Sequence, residues 1–308
     1  MMKLLLSVIL VLAPYGLAYH SSDLEESHKF SLKNLVSFFK KTEEFIGKVN
    51  SGFSLYGHDE GPGEENWGGV CSSGQFQSPI DFRKNETDIV KNMKPLYFSG
   101  ITQIPSTTNI THSGDTIKVL FKTAKPITVT GGVFKNHVYK FQQLHFHWGK
   151  NTHEGSEHTV ESRRFPLECH LVFYKENCTN PTSEPECIAV LGVHYESKWV
   201  GSNVLDPIVK ATAAIEQVGE YVAKVNGYPL KQYLPKDLGT YFSYTGSLTT
   251  PPCTEGVTWI WFTETMKVSP HQVNILHEIT DEYGHKVESN FRGTQPLNGR
   301  SVYLINSA

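Results

Sequence analysis

The sequence predicts a mainly β protein. Between residues 53 and 308, short β-branched and aromatic runs are separated by glycine, proline and asparagine, which is the pattern of strands joined by turns. Segments with helical spacing are few, and no internal repeat or low-complexity segment occurs in the chain. The clearest predicted strands cover residues 119–121, 127–130, 138–147, 167–174, 188–195 and 257–262.

Two short helices are predicted beside these strands, over residues 206–217 and 269–278. Ser269 is a suitable N-cap for the second helix because its hydroxyl can accept a hydrogen bond from a free backbone N–H group, and Pro270 suits the first turn.

The formal net charge of −3 gives no electrostatic reason to expect nucleic-acid binding.

Residues 1–18 have the features of a secretory signal peptide. Lys3 supplies the basic start, residues 4–12 form an apolar core, and Gly-Leu-Ala at residues 16–18 forms a small-residue cleavage site. An uncleaved membrane anchor is the alternative, but the apolar run is too short to span a bilayer. Because no hydrophobic tail follows Arg300, we expect a secreted, extracellular protein without a membrane span. The remainder, about 290 residues, is enough for one large all-β domain or two small ones.

The next segment, residues 19–52, separates the signal from the predicted domain. Its apolar residues recur at roughly helical spacing among lysines and glutamates, so a short amphipathic helix is expected. One interpretation is a helix that packs on the domain, or a loosely ordered extension. The other is a segment that binds a partner or is removed during maturation.

Two histidines lie two residues apart in an aromatic, strand-like run. Residues i and i+2 of a strand face the same side, so His145 and His147 are expected to project together, with Gln143 beside them. Two neutral imidazoles that point to one place are half of a zinc site. The alternative is one histidine in the core and one at a rim.

A third histidine, His170, lies in the strand-like run of residues 167–174. Alternation places Glu168, His170 and Val172 on one face of that strand. A carboxylate so placed can accept the second N–H group of a metal-bound imidazole, and Gln143 can do the same for His145. Three nitrogen ligands leave the fourth tetrahedral position open, which is the pattern of catalytic zinc.

Four motifs extend this pattern: His145-Phe-His-Trp-Gly149, Gly155-Ser-Glu-His-Thr-Val160, Glu168-Cys-His-Leu-Val172 and Ser247-Leu-Thr-Thr-Pro-Pro252. In these motifs the chain closely resembles the α-class carbonic anhydrases. The likeness extends from about residue 56 to Arg300, so we expect one catalytic domain over residues 53–308. The resemblance implies a large, twisted, mostly antiparallel sheet with short peripheral helices, and reversible hydration of carbon dioxide to bicarbonate and a proton.

The resemblance also implies roles for individual residues. A zinc ion on His145, His147 and His170 would carry the attacking hydroxide, while Thr249 would accept its hydrogen and donate its own to Glu157. Inhibition by primary sulfonamides is expected of such an open site. The residues implied for binding carbon dioxide and bicarbonate are Val172, Val190, Leu248, Thr250 and Trp259.

His112 falls where the family's proton-shuttle histidine is expected. A histidine that titrates near neutral pH can carry the proton released by the reaction. The sequence departs from the common Asn-x-Gly-His pattern, because Thr111 replaces the glycine and a small insertion follows at residues 114–115. The alternative is an exposed loop histidine without a role in turnover.

Five cysteines in an exported protein indicate disulfides first. The resemblance implies a bridge between Cys71 and Cys253, and a local loop bridge between Cys178 and Cys187 is plausible. Cys169 is then left over, on the face of its strand away from the metal, as a buried apolar residue.

Three Asn-x-Thr triplets are candidate glycosylation sites: Asn85, Asn109 and Asn177.

Two non-enzymatic hypotheses compete with this assignment. A carbonic-anhydrase-like binding module is expected to lack one or more zinc ligands, whereas all three are present here together with Glu157 and Thr249. A scaffold role would rest on the extension or on an acidic surface, but the sequence has no long acidic or repetitive segment.

Overall fold

The computed structural model describes residues 64–182, 184–215, 221–222, 227–281 and 284–307. The predicted signal peptide and the extension of residues 19–52 lie outside these residues, and so do residues 216 and 217 of the predicted helix 206–217. Within the described residues that helix ends at Thr212, earlier than predicted. Within the described residues, no helix is long and apolar enough to cross a membrane.

Strands dominate the part of the chain that the structure describes. They are β1 (Asp81–Phe82), β2 (Thr87–Met93), β3 (Leu96–Ser99), β4 (Thr107–His112), β5 (Ile117–Lys122), β6 (Thr128–Gly131), β7 (Tyr139–Trp148), β8 (Thr159–Val160), β9 (Leu167–Lys175), β10 (Ile188–Ser197), β11 (Tyr221–Val222), β12 (Thr240–Ser247), β13 (Glu255–Phe262), β14 (Met266–Val268) and β15 (Val302–Ser307). Each of the predicted strands is present, and the ends of each lie within two residues of the prediction.

The helices are short: α1 (Val70–Ser73), α2 (Asp206–Thr212) and α3 (Pro270–Leu276). The N-cap prediction for α3 is confirmed, because the Ser269 side chain accepts a hydrogen bond from the backbone of Gln272 and the Gln272 side chain bonds back to Ser269. Single 3₁₀ turns lie at Glu64–Asn66, Lys84–Glu86, Gly132–Phe134 and Leu230–Tyr233.

Thirteen of the strands form one sheet, with the order β11-β4-β5-β7-β9-β10-β13-β12-β15-β2 along its main path. Most neighbours run antiparallel; β10 with β13, β10 with β14, and β15 with β2 are parallel. Strands β1 and β8 form a separate parallel pair. The predicted fold class, a mainly β protein built on a large, mostly antiparallel sheet with short helices, is confirmed.

The middle strands β7, β9 and β10 separate two apolar clusters. The larger cluster contains Leu144, Phe146 and Leu171, which are fully or almost fully buried. The smaller cluster lies on the other face and contains Val172 and Val190, which are opposite each other across the ladder. Since side chains alternate along a strand, the even residues of β9 share the face of the smaller cluster.

A β-bulge in β7 decides which of its residues reach that face. The register shifts between Phe141 and Gln143, so that Phe141 is opposite Phe173 and Gln143 is opposite Val172. The extra residue, Gln142, is exposed. The bulge lets Phe141 pack beside the larger cluster while Gln143 takes the opposite face, and the periodicity of the sequence alone did not indicate this change.

Two disulfides join Cys71 to Cys253 and Cys178 to Cys187, as predicted. The first ties α1 to the loop that follows β12, with Trp67 packed beside it. The remaining cysteine, Cys169, is free and fully buried in the larger apolar cluster, and burial raises the pKa of its thiol well above the usual value.

Candidate metal centre

The three predicted ligand histidines come together on the smaller-cluster face of the sheet. His145 and His147 project from β7, and His170 lies directly opposite His145 on β9. The ring centroids of His147 and His170 are 4.5 Å apart, and those of His145 are 5.1 and 5.2 Å from the other two. Each imidazole offers one nitrogen within 4.8 Å of the others. We call these three residues the front cluster.

The other nitrogen of each imidazole makes a hydrogen bond to an oxygen. Nδ1 of His145 donates to Oε1 of Gln143 at 3.0 Å, and Nδ1 of His147 donates to the backbone carbonyl of Asn290 at 2.9 Å. Nε2 of His170 donates to Oε1 of Glu168 at 2.7 Å. These bonds set the tautomers, so the nitrogens that face one another carry lone pairs.

The front cluster therefore fits a divalent cation with a preference for nitrogen ligands. Nε2 of His147 is buried and has no hydrogen-bond partner, which is costly for a polar atom unless a ligand completes it. Burial lowers the pKa of His145 well below its usual value and that of His170 to about 3, so both rings are neutral at physiological pH. Neutral imidazoles with an open fourth position suit zinc.

Glu157 lies beside the front cluster and is completely buried. Its Oε1 accepts the backbone N–H of Arg292 at 3.0 Å and lies 3.4 Å from Nδ1 of His147, while its Oε2 has no hydrogen-bond partner. Burial raises the pKa of Glu157, and the neighbouring His147 and the Thr249 side chain oppose that rise. Thr249 is also buried and its side chain is close enough to influence Glu157, while the predicted relay between the two residues stays a prediction.

Trp259, one of the residues predicted for the substrate, lies against His170. The Trp259 ring is 4.8 Å from the His170 ring, and it belongs to the smaller apolar cluster together with Val172 and Val190. Leu248 packs against the same cluster and is only half-buried. Thr250 follows Thr249 in the turn that ends at Cys253, and it too is half-buried.

Behind His170, a second group of histidines surrounds Glu168. Oε1 of Glu168 accepts Nδ1 of His158 at 2.8 Å as well as Nε2 of His170, and Oε2 accepts Nε2 of His194 at 3.0 Å. All four residues are buried. Burial favours a raised pKa for Glu168, but the three histidines hold it well below its usual value, so the carboxylate is charged. We call Glu168, His158 and His194, with Nε2 of His170, the rear cluster.

The structure contradicts the prediction that His112 is a proton shuttle. His112 ends β4 with its side chain completely buried, on the same face as Ile110 and opposite Ile117 of the larger cluster. Its Nε2 donates to the carbonyl of Thr280 at 2.6 Å, and its Nδ1 accepts the N–H of Gly114 at 3.0 Å. A shuttle must exchange protons with solvent, and a buried ring with both nitrogens bonded to backbone cannot do so.

Three contributors to this region were not found from the sequence. Asn290 acts through its backbone carbonyl, which any residue could supply, so no pattern marked it. Lys118 is opposite His145 across the ladder, and its charge helps to lower the pKa of His145. His194 lies within the predicted strand of residues 188–195, but its neighbour across the sheet depends on the register of β9 and β10, which no local pattern indicates.

The glycosylation candidates differ in exposure. Asn85 and Asn177 are exposed, whereas Asn109 is half-buried within β4, which is paired with strands on both sides. Oδ1 of Asn109 is buried without a hydrogen-bond partner. Glycosylation at the three sites stays a prediction, and the structure favours the first two.

Comparisons with known proteins agree with this geometry. A family model described as eukaryotic-type carbonic anhydrase matches residues 62–306. The chain is 33% identical over 254 residues to "Putative carbonic anhydrase 5" of Caenorhabditis elegans, covering 80% of each chain. It is 32% identical over 282 residues to "Carbonic anhydrase 6" of Mus musculus, covering 88% of this chain and 86% of the relative. It is also 34% identical over 257 residues to "Carbonic anhydrase 7" of Homo sapiens, with 80% and 95% covered.

Proposed function

Because the chain belongs to the eukaryotic-type carbonic anhydrase family, we propose that it catalyses the reversible hydration of carbon dioxide to bicarbonate and a proton. His145, His147 and His170 would hold a zinc ion. The observation that carries the proposal is the front cluster, in which three buried or half-buried imidazoles direct lone pairs to one place while Gln143, the Asn290 carbonyl and Glu168 fix their tautomers.

Zinc supplies a positive charge that lets water lose a proton at a pKa of about 7, the value established for carbonic anhydrases in general. The protein's contribution is to keep that charge undiminished. Neutral imidazole ligands do so, whereas an anionic thiolate or carboxylate ligand would offset part of the charge. Glu168 remains outside the ligand set and acts on His170 through a hydrogen bond.

Thr249 and Glu157 would orient the attacking oxygen. In its ionised form Glu157 only accepts hydrogen bonds, so the Thr249 hydroxyl would donate its hydrogen to that carboxylate. The lone pairs of Thr249 are then available to accept a hydrogen from the attacking oxygen. This directs a lone pair of that oxygen to the substrate carbon. The oxygen is oriented in this way without losing its negative charge.

The apolar cluster beside His170 suits carbon dioxide. Val172, Val190 and Trp259 present hydrocarbon and aromatic surface next to the ligand face, with Leu248 at the edge. A small, uncharged substrate needs such walls and few hydrogen-bond donors. Thr250 would help to hold bicarbonate, and a primary sulfonamide is expected to inhibit by occupying the same space.

We further propose that the protein is secreted. The two disulfides suit an oxidising compartment, and the signal peptide predicted at residues 1–18 would direct the chain there. The extension of residues 19–52 stays without an assigned role.

The decisive experiment measures carbon dioxide hydration by stopped flow, together with zinc content on the same sample. We expect hydration in the purified protein, loss on chelation, and recovery when zinc is restored. A folded, zinc-loaded protein without hydration activity would contradict the proposal and would favour a non-catalytic binding module. A folded protein that takes up no zinc would contradict the metal site itself.

A further inference from the structure

We propose that His194 is a positioning residue that holds the Glu168 carboxylate in place and, through it, orients His170 for metal binding. The inference rests on the proposed zinc site. His194 lies on β10, a strand that supplies none of the three proposed ligands, yet it would help the site to retain the metal.

The register of the sheet brings His194 to the carboxylate. In the antiparallel ladder of β9 and β10, His194 is directly opposite Glu168, while Gly192 is opposite His170. Directly opposite side chains of such a pair share one face of the sheet. Nε2 of His194 therefore reaches Oε2 of Glu168 at 3.0 Å from the side away from the front cluster.

His194 completes the hydrogen bonding of Glu168. Oε1 accepts Nδ1 of His158 at 2.8 Å and Nε2 of His170 at 2.7 Å, and Oε2 accepts the backbone N–H of His158 at 2.9 Å and Nε2 of His194. An ionised carboxylate has about four lone-pair positions, and these four donors use them all. With both oxygens held by two donors each, the carboxylate cannot rotate without breaking a buried hydrogen bond.

Packing alone does not explain a histidine at this position. The His194 ring lies between the Phe165 and Trp261 rings, with centroids 4.1 and 4.2 Å away, so its surroundings are aromatic. Its Nδ1 is buried and has no hydrogen-bond partner. A phenylalanine would fill this space without leaving a polar atom unsatisfied, so the benefit of histidine must come from the N–H group that it gives to Glu168.

Removal of that donor would loosen Glu168. Oε2 would then be held only by the His158 backbone, and the carboxylate could turn and move Oε1 away from His170. Mutation of a hydrogen-bond partner of a metal ligand typically lowers metal affinity about 10- to 100-fold. Mutation of a residue that contacts only such a partner should lower the affinity less. We expect zinc to dissociate about three- to tenfold faster from His194→Phe than from the wild type.

The test compares zinc dissociation into a chelator from the wild type, His194→Phe, His194→Gln and Val193→Ala. The amide of His194→Gln can still donate to Glu168, so its dissociation rate should return towards that of the wild type. Val193 is fully buried in the larger cluster on the other face of β10, so Val193→Ala should lower the melting temperature without changing the rate.

Equal rates for His194→Phe and the wild type would overturn the proposal. So would a rate for His194→Gln as fast as that for His194→Phe, or an equal acceleration in Val193→Ala. A wild type that takes up no zinc would contradict the proposed function. This result differs from one in which all variants bind zinc and release it at equal rates, which would contradict only the role of His194.

A measurement on the wild type covers the case in which His194→Phe does not fold. Nitrogen-15 NMR of the imidazoles in the zinc-loaded protein should show His194 neutral and protonated at Nε2, with a ring N–H that exchanges slowly with water. Protonation at Nδ1, or rapid exchange of the Nε2 proton, would contradict a lasting hydrogen bond to Glu168 and would overturn the proposal.

Discussion

On the front side of His170, three imidazoles direct lone pairs towards one another, whereas on its rear side three imidazole N–H groups converge on one carboxylate. Both clusters are built from histidine on the same central strands, and His170 belongs to both. In the front cluster no carboxylate accepts a hydrogen bond from the facing nitrogens. Glu157 lies 3.4 Å from Nδ1 of His147 and 3.8 Å from Nδ1 of His170, and Nε2 of His147 has no hydrogen-bond partner. The rear cluster contains Glu168, whose charge satisfies its donors.

Histidine serves two purposes in these clusters, as a hydrogen-bond donor to a carboxylate and as a candidate metal ligand. A carboxylate between histidines fixes their protons on the side that faces it, which completes the cluster without a ligand. Histidines without such a carboxylate can keep lone pairs on the facing side, where a cation could bind. The position of Glu168 on the rear side of His170 therefore leaves the front side as the place where the proposed zinc ion would bind.

The largest expected effect follows from removing a ligand in the front cluster. His147→Ala should weaken zinc binding by more than about 100-fold, which exceeds the effect typical of residues that only orient a ligand. The rate of carbon dioxide hydration should fall as zinc is lost. Zinc competition with a chelator and stopped-flow hydration measure both effects. The control is His153→Ala, which changes an exposed histidine near the same strand and should alter neither. Unchanged zinc affinity in His147→Ala would place the metal elsewhere.

The rear cluster should respond to loss of its charge. Glu168→Gln leaves three buried histidines around a neutral amide whose NH₂ group faces other donors. We expect a loss of about 3 kcal/mol in the free energy of unfolding, as for other broken buried charge networks, and zinc binding weaker by about 10- to 100-fold. Urea denaturation and chelator competition test the two parts. A stable variant with normal zinc affinity would show that Glu168 does not link the clusters.

The metal-free protein should lose stability as the pH falls below about 6.5. Burial lowers the pKa of His145, His194 and His170, the last to about 3, so these rings take up protons in the unfolded chain before they do so in the folded one. Each such histidine reduces the ratio of folded to unfolded protein by at most about tenfold per pH unit in this range.

Denaturation of the apoprotein between pH 4.5 and 6.5 measures this dependence. The lower limit keeps Glu168 out of the comparison, since its lowered pKa affects stability only at more acidic pH. His194→Phe should show a shallower slope than the wild type because one titrating group is gone. Identical slopes would mean that His194 is not neutral in the folded protein.

A smaller effect separates the two adjacent glutamines of β7. Gln143 accepts a hydrogen bond from His145, whereas Gln142 is the exposed residue of the bulge. Gln143→Ala should weaken zinc binding by about tenfold, at the low end of the range for partners of metal ligands. Gln142→Ala is the matched control and should bind zinc like the wild type. Equal affinities of the two variants would contradict a role of Gln143 in orienting His145.

The smallest expected effect on turnover is that of His112. Its ring belongs to neither cluster and is bonded to the backbone on both sides. His112→Ala should reduce thermal stability, because it leaves a cavity and unpaired backbone groups, but the hydration rate per bound zinc should stay within about twofold of the wild type. A large loss of rate that imidazole buffer restores would reinstate His112 as the proton carrier.

Much of the site could be predicted from the sequence because alternation along a strand is local. The spacing of His145 and His147, and of Glu168, His170 and Val172, already placed these residues on shared faces, and the motifs added Glu157 and Thr249. The same alternation also bore on His112, which is two residues from Ile110 in β4 and shares its buried face. The motif interpretation outweighed that signal and was wrong.

Local patterns and motifs were enough to predict the strands, the N-cap of α3, the family and the three candidate ligand histidines, since each depends on residues that are close together or on a recognisable motif. Which residues meet across the sheet depends instead on the folded chain as a whole. The register of β9 and β10 brings His194 to Glu168, the bulge in β7 turns Phe141 towards the larger apolar cluster, and the distant backbone carbonyl of Asn290 accepts a hydrogen bond from His147. Register and long-range contacts depend on the packing of the whole sheet, which no local pattern encodes.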